Sequence, residues 1–418
     1  MPSMERMEIY RLNDVRDDHS GTVTKNPTYN EAIDPSTSSS KGSPRPLVSS
    51  WLPVIHNSLS SLLRWAGPYP AEVQESHLAF MRDVVVPCLK PPAAADRLSY
   101  VANHNHSTYE ASLAFTSYRP PKVRYSVQPL VDPSPGDPLA SKCGADRKWL
   151  DAFIDSSFLT TEEQAALVSK GVVAAASDAS HPLPQSALVA FDLHVNTDKG
   201  GKAANTMKTY LFPQYKALIT GQKTVDTTDS IVRVLAEGNQ EMLAAWELIK
   251  TFLNTNSGKK VMLDFLAIDC LAPSKEAHSK RPRLKIYFST NFKSLAAVRE
   301  VVTLGGLLPR SSANMDLLSE AWPLLMDMED IPQAEIEDLE KPLNDPTSHY
   351  QGVGFTIAVA PGQAIPQIKT CVPIWQFARD EARIIECCQR LLQKHGPTGK
   401  FDFEAAIQDA LDYYVLCA

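Results

Sequence analysis

The chain has 418 residues, a formal net charge of −7 and a pI near 5.8. That balance excludes the broad basic surface that nucleic acid or an anionic membrane requires, so any cationic function must be built locally from a few placed Lys and Arg residues. No apolar run nears the roughly 20 residues of a membrane span. The first residues carry Glu5, Glu8 and Asp14 where a signal peptide would have a basic start and an apolar stretch. Seven scattered cysteines form no C-x-x-C pair, so free thiols and a cytoplasmic location are expected.

Residues 1–48 are polar and rich in Ser, Thr, Pro and Asp, which predicts a disordered N-terminal arm ahead of one domain over 49–418. From Trp51 the texture changes. Leu52, Ile55, Leu59, Leu62 and Leu63 recur at helical spacing, and a second apolar stretch over 78–89 is interrupted by Pro87. Further helices are expected over 148–158, 161–170, 230–254, 292–304, 315–328 and 375–394. Between them lie pairs of strand-like segments: 109–116 with 122–130, 188–196 with 206–212, 261–270 with 283–289, and 352–360 with 367–373. Arg124, Lys208, Lys285 and Lys369 recur in the second strands at intervals of roughly 80 residues, the mark of a repeated helix–strand–strand–helix unit. Strands joined by short loops pair antiparallel, so the expected fold is α+β, an antiparallel sheet covered by helices.

Alternate side chains of a strand face opposite ways. One face of the second strands reads Lys122, Arg124, Ser126, Gln128; Lys208, Tyr210; Arg283, Lys285, Tyr287; and Gln367, Lys369, Cys371. The other is mostly apolar and suits contact with helices. A single cationic strand face would simply meet water. Four in succession, with little acid evident opposite, point instead to an enclosed polar lumen. Burying unpaired charges costs several kcal/mol each unless an anion compensates them, and converging Lys and Arg suit a diphosphate. On the first strands, Glu110 is either a charge partner for Arg124 or a holder of a ring N–H or O–H. His194 is either a plain strand histidine or a base. Metal chemistry has weak candidates only, in Asp17-Asp18 and in Asp327-Met328-Glu329-Asp330. Phosphate-loop and H-E-x-x-H motifs are absent from the sequence, so neither metal nor cofactor is expected.

Several ordered blocks resemble the dimethylallyltryptophan synthase type of fungal indole prenyltransferases. They are the helix ending in Met81-Arg82-Asp83-Val84-Val85-Val86-Pro87, the Glu110 strand, Val123-Arg124-Tyr125, and Ala190-Phe191-Asp192-Leu193. Met207 to Pro213, Arg283 to Tyr287, Thr303-Leu304-Gly305-Gly306 and Pro366 to Pro373 complete the set. The resemblance implies a closed ten-stranded antiparallel barrel ringed by helices, built from five α-β-β-α units (the ABBA prenyltransferase barrel). Four strand pairs are visible, so the fifth unit is expected to be incomplete, the chain ending at Cys417-Ala418 after a helix-like 403–414.

By the same resemblance, Arg124, Lys208, Arg283, Lys285 and Lys369 would bind the diphosphate, and Tyr210 and Tyr287 would shield an allylic cation with their π faces. Glu110 would hold the acceptor's ring N–H, and His194 would take the ring proton. The implied partners are dimethylallyl diphosphate, or a longer prenyl diphosphate, and an indole such as tryptophan or a tryptophan-derived cyclic dipeptide in alkaloid biosynthesis. A phenolic or polyketide acceptor, or a non-catalytic protein that binds isoprenoid diphosphate, is the alternative. A homodimer is left open. Two departures bear on the acceptor: His194 stands where relatives often carry Lys, and Cys371 where they commonly carry a further Tyr.

Overall fold

The computed structural model describes residues 7–10, 51–89, 109–116, 119–127, 147–157, 159–160, 162–163, 166, 187–197, 203–271, 283–309, 312–348, 350–396 and 402–416. Its centre is a nine-stranded sheet in sequence order, every neighbouring pair antiparallel. The strands are β1 (Met7–Tyr10), β2 (Tyr109–Thr116), β3 (Arg119–Val127), β4 (Ala187–Thr197), β5 (Ala203–Leu211), β6 (Val261–Cys270), β7 (Leu284–Thr290), β8 (Gly354–Val359) and β9 (Gln367–Cys371). All four expected strand pairs form. Most of the arm expected over 1–48 lies outside the described residues, but β1 comes from it and pairs along β2. Among the described residues β9 pairs with β8 alone, and no further strand follows it.

The helices are α1 (Leu52–Ala66), α2 (Ala71–Phe80), α3 (Arg147–Ser157), α4 (Pro213–Thr220), α5 (Thr224–Ala236), α6 (Gln240–Leu253), α7 (Leu295–Val302), α8 (Ser312–Leu325), α9 (Gln333–Ile336), α10 (Glu381–His395) and α11 (Phe403–Leu416). The helix expected over 230–254 is two helices. Glu237 and Gly238 have φ of 47° and 80°, which ends α5, and the Asn239 side chain accepts the Met242 N–H at 2.9 Å to start α6. The helix expected over 161–170 falls mostly outside the described residues. After α2 the chain widens into a π-turn over Met81–Val85 just before Pro87, whose ring could not sit in a regular turn. No helix among the described residues is long and apolar enough to cross a membrane.

The sheet's two faces divide as the alternation requires. Tyr125, Val127, Val189, Phe191, Met207, Leu266, Ile268, Leu284, Ile286, Phe355 and Ile357 form one face, are all buried, and join the core that α1, α2, α5 and α6 supply with Leu59, Leu63, Leu78, Ile231 and Trp246. At about 25 cal/mol per Å² of apolar surface removed from water, this layer between sheet and helices is what holds the fold. Two close contacts fix strand positions. Gly352 lies where a Cβ would sit 2.4 Å from the Thr290 carbonyl, which lets the start of β8 press against the end of β7. On the helix side, the buried Tyr69 hydroxyl accepts the Val123 N–H at 3.0 Å and donates to the Leu193 carbonyl at 3.1 Å. It bridges β3 and β4 one residue beyond the last ladder pair, Arg124 with Asp192.

Candidate active site

The opposite face carries the polar residues. Residues paired across an antiparallel ladder share a face, and the register can be followed strand by strand. Arg124 on β3 is opposite Asp192 on β4, Ala190 is opposite Lys208 on β5, and Lys208 is opposite Asp269 on β6. Ala267 is opposite Lys285 on β7, Tyr287 is opposite Thr356 on β8, and Thr356 is opposite Lys369 on β9. On this face lies a cavity, partly open to solvent, lined by Arg124, Lys208, Tyr210, Arg283, Lys285, Tyr287, Thr356, Ala358, Gln367 and Lys369. The five basic residues and both tyrosines singled out for the diphosphate and the cation therefore line one cavity.

The expectation of little opposing acid does not hold. Asp192 accepts from Arg124 Nε at 2.7 Å, from Lys122 Nζ at 3.2 Å and from Lys208 Nζ. Asp269 accepts from Lys285 Nζ at 2.7 Å and from Arg283 Nη2 at 2.9 Å. Both aspartates are buried, as are Arg124, Lys208 and Lys285. The alternation of a single strand cannot reveal this pairing, because each acid sits on the neighbouring strand and only the register brings the two together. Among the described residues, five basic side chains (Lys122, Arg124, Lys208, Arg283 and Lys285) pair with these two carboxylates, and Lys369 lines the same cavity.

The ionisation states follow from burial and neighbours. Burial by itself would raise the Asp192 carboxyl, but Lys208, Arg124 and Lys122 outweigh it and hold the group well below the usual carboxylate range. Asp269 is treated alike: burial opposes ionisation, and Lys285, Lys208 and Arg283 overcome it. Both stay ionised. For Lys208, burial and then the neighbouring Arg124 pull the ammonium well below its ordinary value, against the attraction of Asp192.

Beside the cations lies an aromatic wall. Phe265 and Tyr287 are stacked with centroids 4.2 Å apart, Tyr210 lies 5.7 Å from Tyr287 and 5.9 Å from Phe265, and Phe212 follows at 5.9 Å from Phe265. Phe265 was not singled out from the sequence. Its signal was there, since it falls in step with Asp269 on β6, but that strand's faces were not separated. Ring faces beside cationic residues can stabilise a delocalised carbocation while the charged groups hold its anionic leaving group.

Glu110 and His194 lie on the same face but are not among the lining residues. The register runs from Glu110 through Ser126 and Ala190 to Lys208, and the Ser126 hydroxyl is 3.5 Å from Glu110 Oε2. His194 is four residues beyond Ala190, about 13 Å along β4, with its Nε2 2.7 Å from Thr206 Oγ1. Cys371 is half-buried, its Sγ 3.9 Å from Thr356 Oγ1. Of the acidic stretches, Asp17-Asp18 lies outside the described residues. Asp327 and Glu329 are taken by Arg379, Arg383 and Arg390.

The sequence profile for tryptophan dimethylallyltransferase matches residues 48–403. An indole prenyltransferase of Emericella nidulans is 29% identical over 378 residues, 84% of this chain and 86% of the relative. An indole diterpene prenyltransferase of Tolypocladium album is 28% identical over 371 residues, 83% of this chain and 81% of the relative. Among solved structures, NotF prenyltransferase in complex with brevianamide F and DMSPP superposes with a TM-score of 0.65 at 18% identity, covering 90% of this chain and 88% of that one.

Proposed function

Because the chain belongs to the tryptophan dimethylallyltransferase family, we propose that its lumen transfers a prenyl group from a prenyl diphosphate to an indole ring. The observation that carries this reading is the cavity itself, in which five basic side chains and two tyrosines converge. Lys208, Arg283, Lys285, Lys369 and Arg124 receive the diphosphate, taking the place that metal ions fill in other isoprenoid chemistry. The C–O bond ionises as negative charge moves onto the diphosphate. The allylic cation is left against Tyr210, Phe265 and Tyr287, whose π faces stabilise it and keep water away. The indole attacks, and loss of the ring proton restores aromaticity.

The acceptor is assigned to the part of the lumen over β2–β4. There Glu110, backed by Ser126, anchors the ring N–H, and His194, backed by Thr206, receives the proton. On this reading the two substrates lie side by side, the indole over β2–β4 and the prenyl diphosphate over β5–β9, with Arg124 reaching it from β3. Dimethylallyl is the donor proposed, and tryptophan or a tryptophan-derived cyclic dipeptide the acceptor. The relatives named as indole and indole diterpene prenyltransferases, and NotF solved with brevianamide F and DMSPP, support that choice.

The test is incubation with dimethylallyl diphosphate and a panel of indoles and phenols in the presence of EDTA, followed by mass spectrometry and NMR of products. A prenylated indole formed without metal is expected. Complete loss of turnover in EDTA, restored by magnesium, would sink the metal-free mechanism. Glu110→Ala should abolish most indole prenylation, and full activity in that variant would remove Glu110 from the acceptor site.

A further inference from the structure

The two buried aspartates have no part in the transfer as written, yet they hold most of the groups that would grip the diphosphate. Asp192 takes hydrogen bonds from Lys122, Arg124 and Lys208, and Asp269 from Arg283 and Lys285. Each of the two is only 5% exposed, so water does little to screen them from whatever fills the cavity. A diphosphate entering there must draw the same N–H groups away from the carboxylates, and it meets two fixed negative charges at close range.

We infer that Asp192 and Asp269 are resident counter-ions that hold the cation cluster in place while the lumen is empty and limit its affinity for diphosphate, so that the product diphosphate can leave. This rests on the reading of the lumen as a diphosphate site. Between turnovers the carboxylates compensate charge in a buried cluster, where an uncompensated ion costs several kcal/mol. During a turnover the cations turn to the substrate. After ionisation the departing group is inorganic diphosphate, a stronger anion than the ester, and a cluster without internal acids would retain it. The aspartates regain their partners as it goes. Their role is to position and release, acting through the basic residues, and they need not touch the reacting carbon.

Inorganic diphosphate itself is the probe. Calorimetric titration of the full chain should give a dissociation constant about tenfold lower for Asp269→Asn than for the wild type, because one repelling charge is gone from a poorly screened site. In rapid-mixing kinetics with prenyl diphosphate and an indole, the variant should show a burst of one turnover and then a slower steady state limited by release. A merely structural role would lower the burst itself and weaken diphosphate binding. Asp269→Asn that binds diphosphate no more tightly than wild type, with wild-type binding intact, overturns the inference and leaves the prenyl-transfer reading standing. If the wild type binds no diphosphate, both fail together. Should Asp269→Asn not fold, infrared difference spectra of the wild type labelled with carboxyl-13C aspartate decide the matter. Diphosphate should shift the aspartate carboxylate stretch as partners are exchanged, and an unmoved band refutes the exchange.

Discussion

Lys285→Gln tests the site most directly, because one charge is removed from a position whose surroundings are defined. Lys285 is 8% exposed, lines the cavity, and donates to Asp269 Oδ1 at 2.7 Å. A unit positive charge about 4 Å from a phosphoryl oxygen is worth about 4 kcal/mol at an effective dielectric constant near 20. Part of that is offset, since Lys285 must weaken its bond to Asp269 to reach the substrate, and Asp269 retains Arg283 as a partner. A net loss of about 2–3 kcal/mol corresponds to a fall of about 30- to 150-fold in kcat/KM for the prenyl diphosphate. The assay is initial-rate kinetics in dimethylallyl diphosphate at saturating acceptor, with thermal unfolding run alongside. Lys285→Arg should recover most of the loss, since charge and not shape is in question. A folded Lys285→Gln protein within about threefold of wild type would show that the diphosphate does not lie against β7, because the lost charge would exceed that change at any contact distance.

Tyr287→Leu removes the ring stacked on Phe265; a cation–π contribution of about 1–2 kcal/mol predicts about a tenfold slower transfer, and chromatography should show more prenyl alcohol per prenylated product. Tyr69→Phe strips partners from the Val123 N–H and the Leu193 carbonyl, so urea unfolding should show a loss of about 2–4 kcal/mol. A loss under about 0.5 kcal/mol would mean the two strands close on each other without it. Burial opposes ionisation of Asp229, but hydrogen bonds from Arg233, Lys250 and Trp246 bring its pKa down to about 2. Because that folded value lies below the unfolded one of about 3.9, its stabilisation is complete above about pH 4 and is lost as pH falls through about 2. The wild type should therefore lose stability in that window, and Asp229→Asn should show a flatter profile from a lower start.

Alternation within a strand was enough to pick out Arg124, Lys208, Tyr210, Lys285, Tyr287 and Lys369 as one face, because a pleat leaves no freedom about which side chain goes where. The repeat of roughly 80 residues told that these faces would add up to a single wall. What could not be read was pairing across strands. Asp192 is two residues from His194 in the sequence but beside Arg124 and Lys208 in space, and Asp269 lies some 60 residues from Lys208 along the chain, yet directly opposite it in the ladder. Register depends on bulges and loop lengths, such as the shift between Leu263 and Phe265, and these leave little trace in composition. The break between α5 and α6 was missed for a different reason: Glu237 takes a left-handed turn that the apolar periodicity on either side conceals.

The position of β9 has a consequence for how such an enzyme can change. Gln367, Lys369 and Cys371 line or border the lumen from a strand that, among the described residues, has one neighbour, and all five of its residues are half-buried. A substitution on β5 or β7 disturbs two ladders and the helices behind them; one on β9 disturbs a single ladder. On the proposed reading this strand belongs to the wall over which the prenyl diphosphate lies, so new prenyl-chain preferences can be sampled there with less risk to the fold. Libraries built on positions 367, 369 and 371 should yield more folded variants with altered products than equally large libraries on 208, 210 and 285.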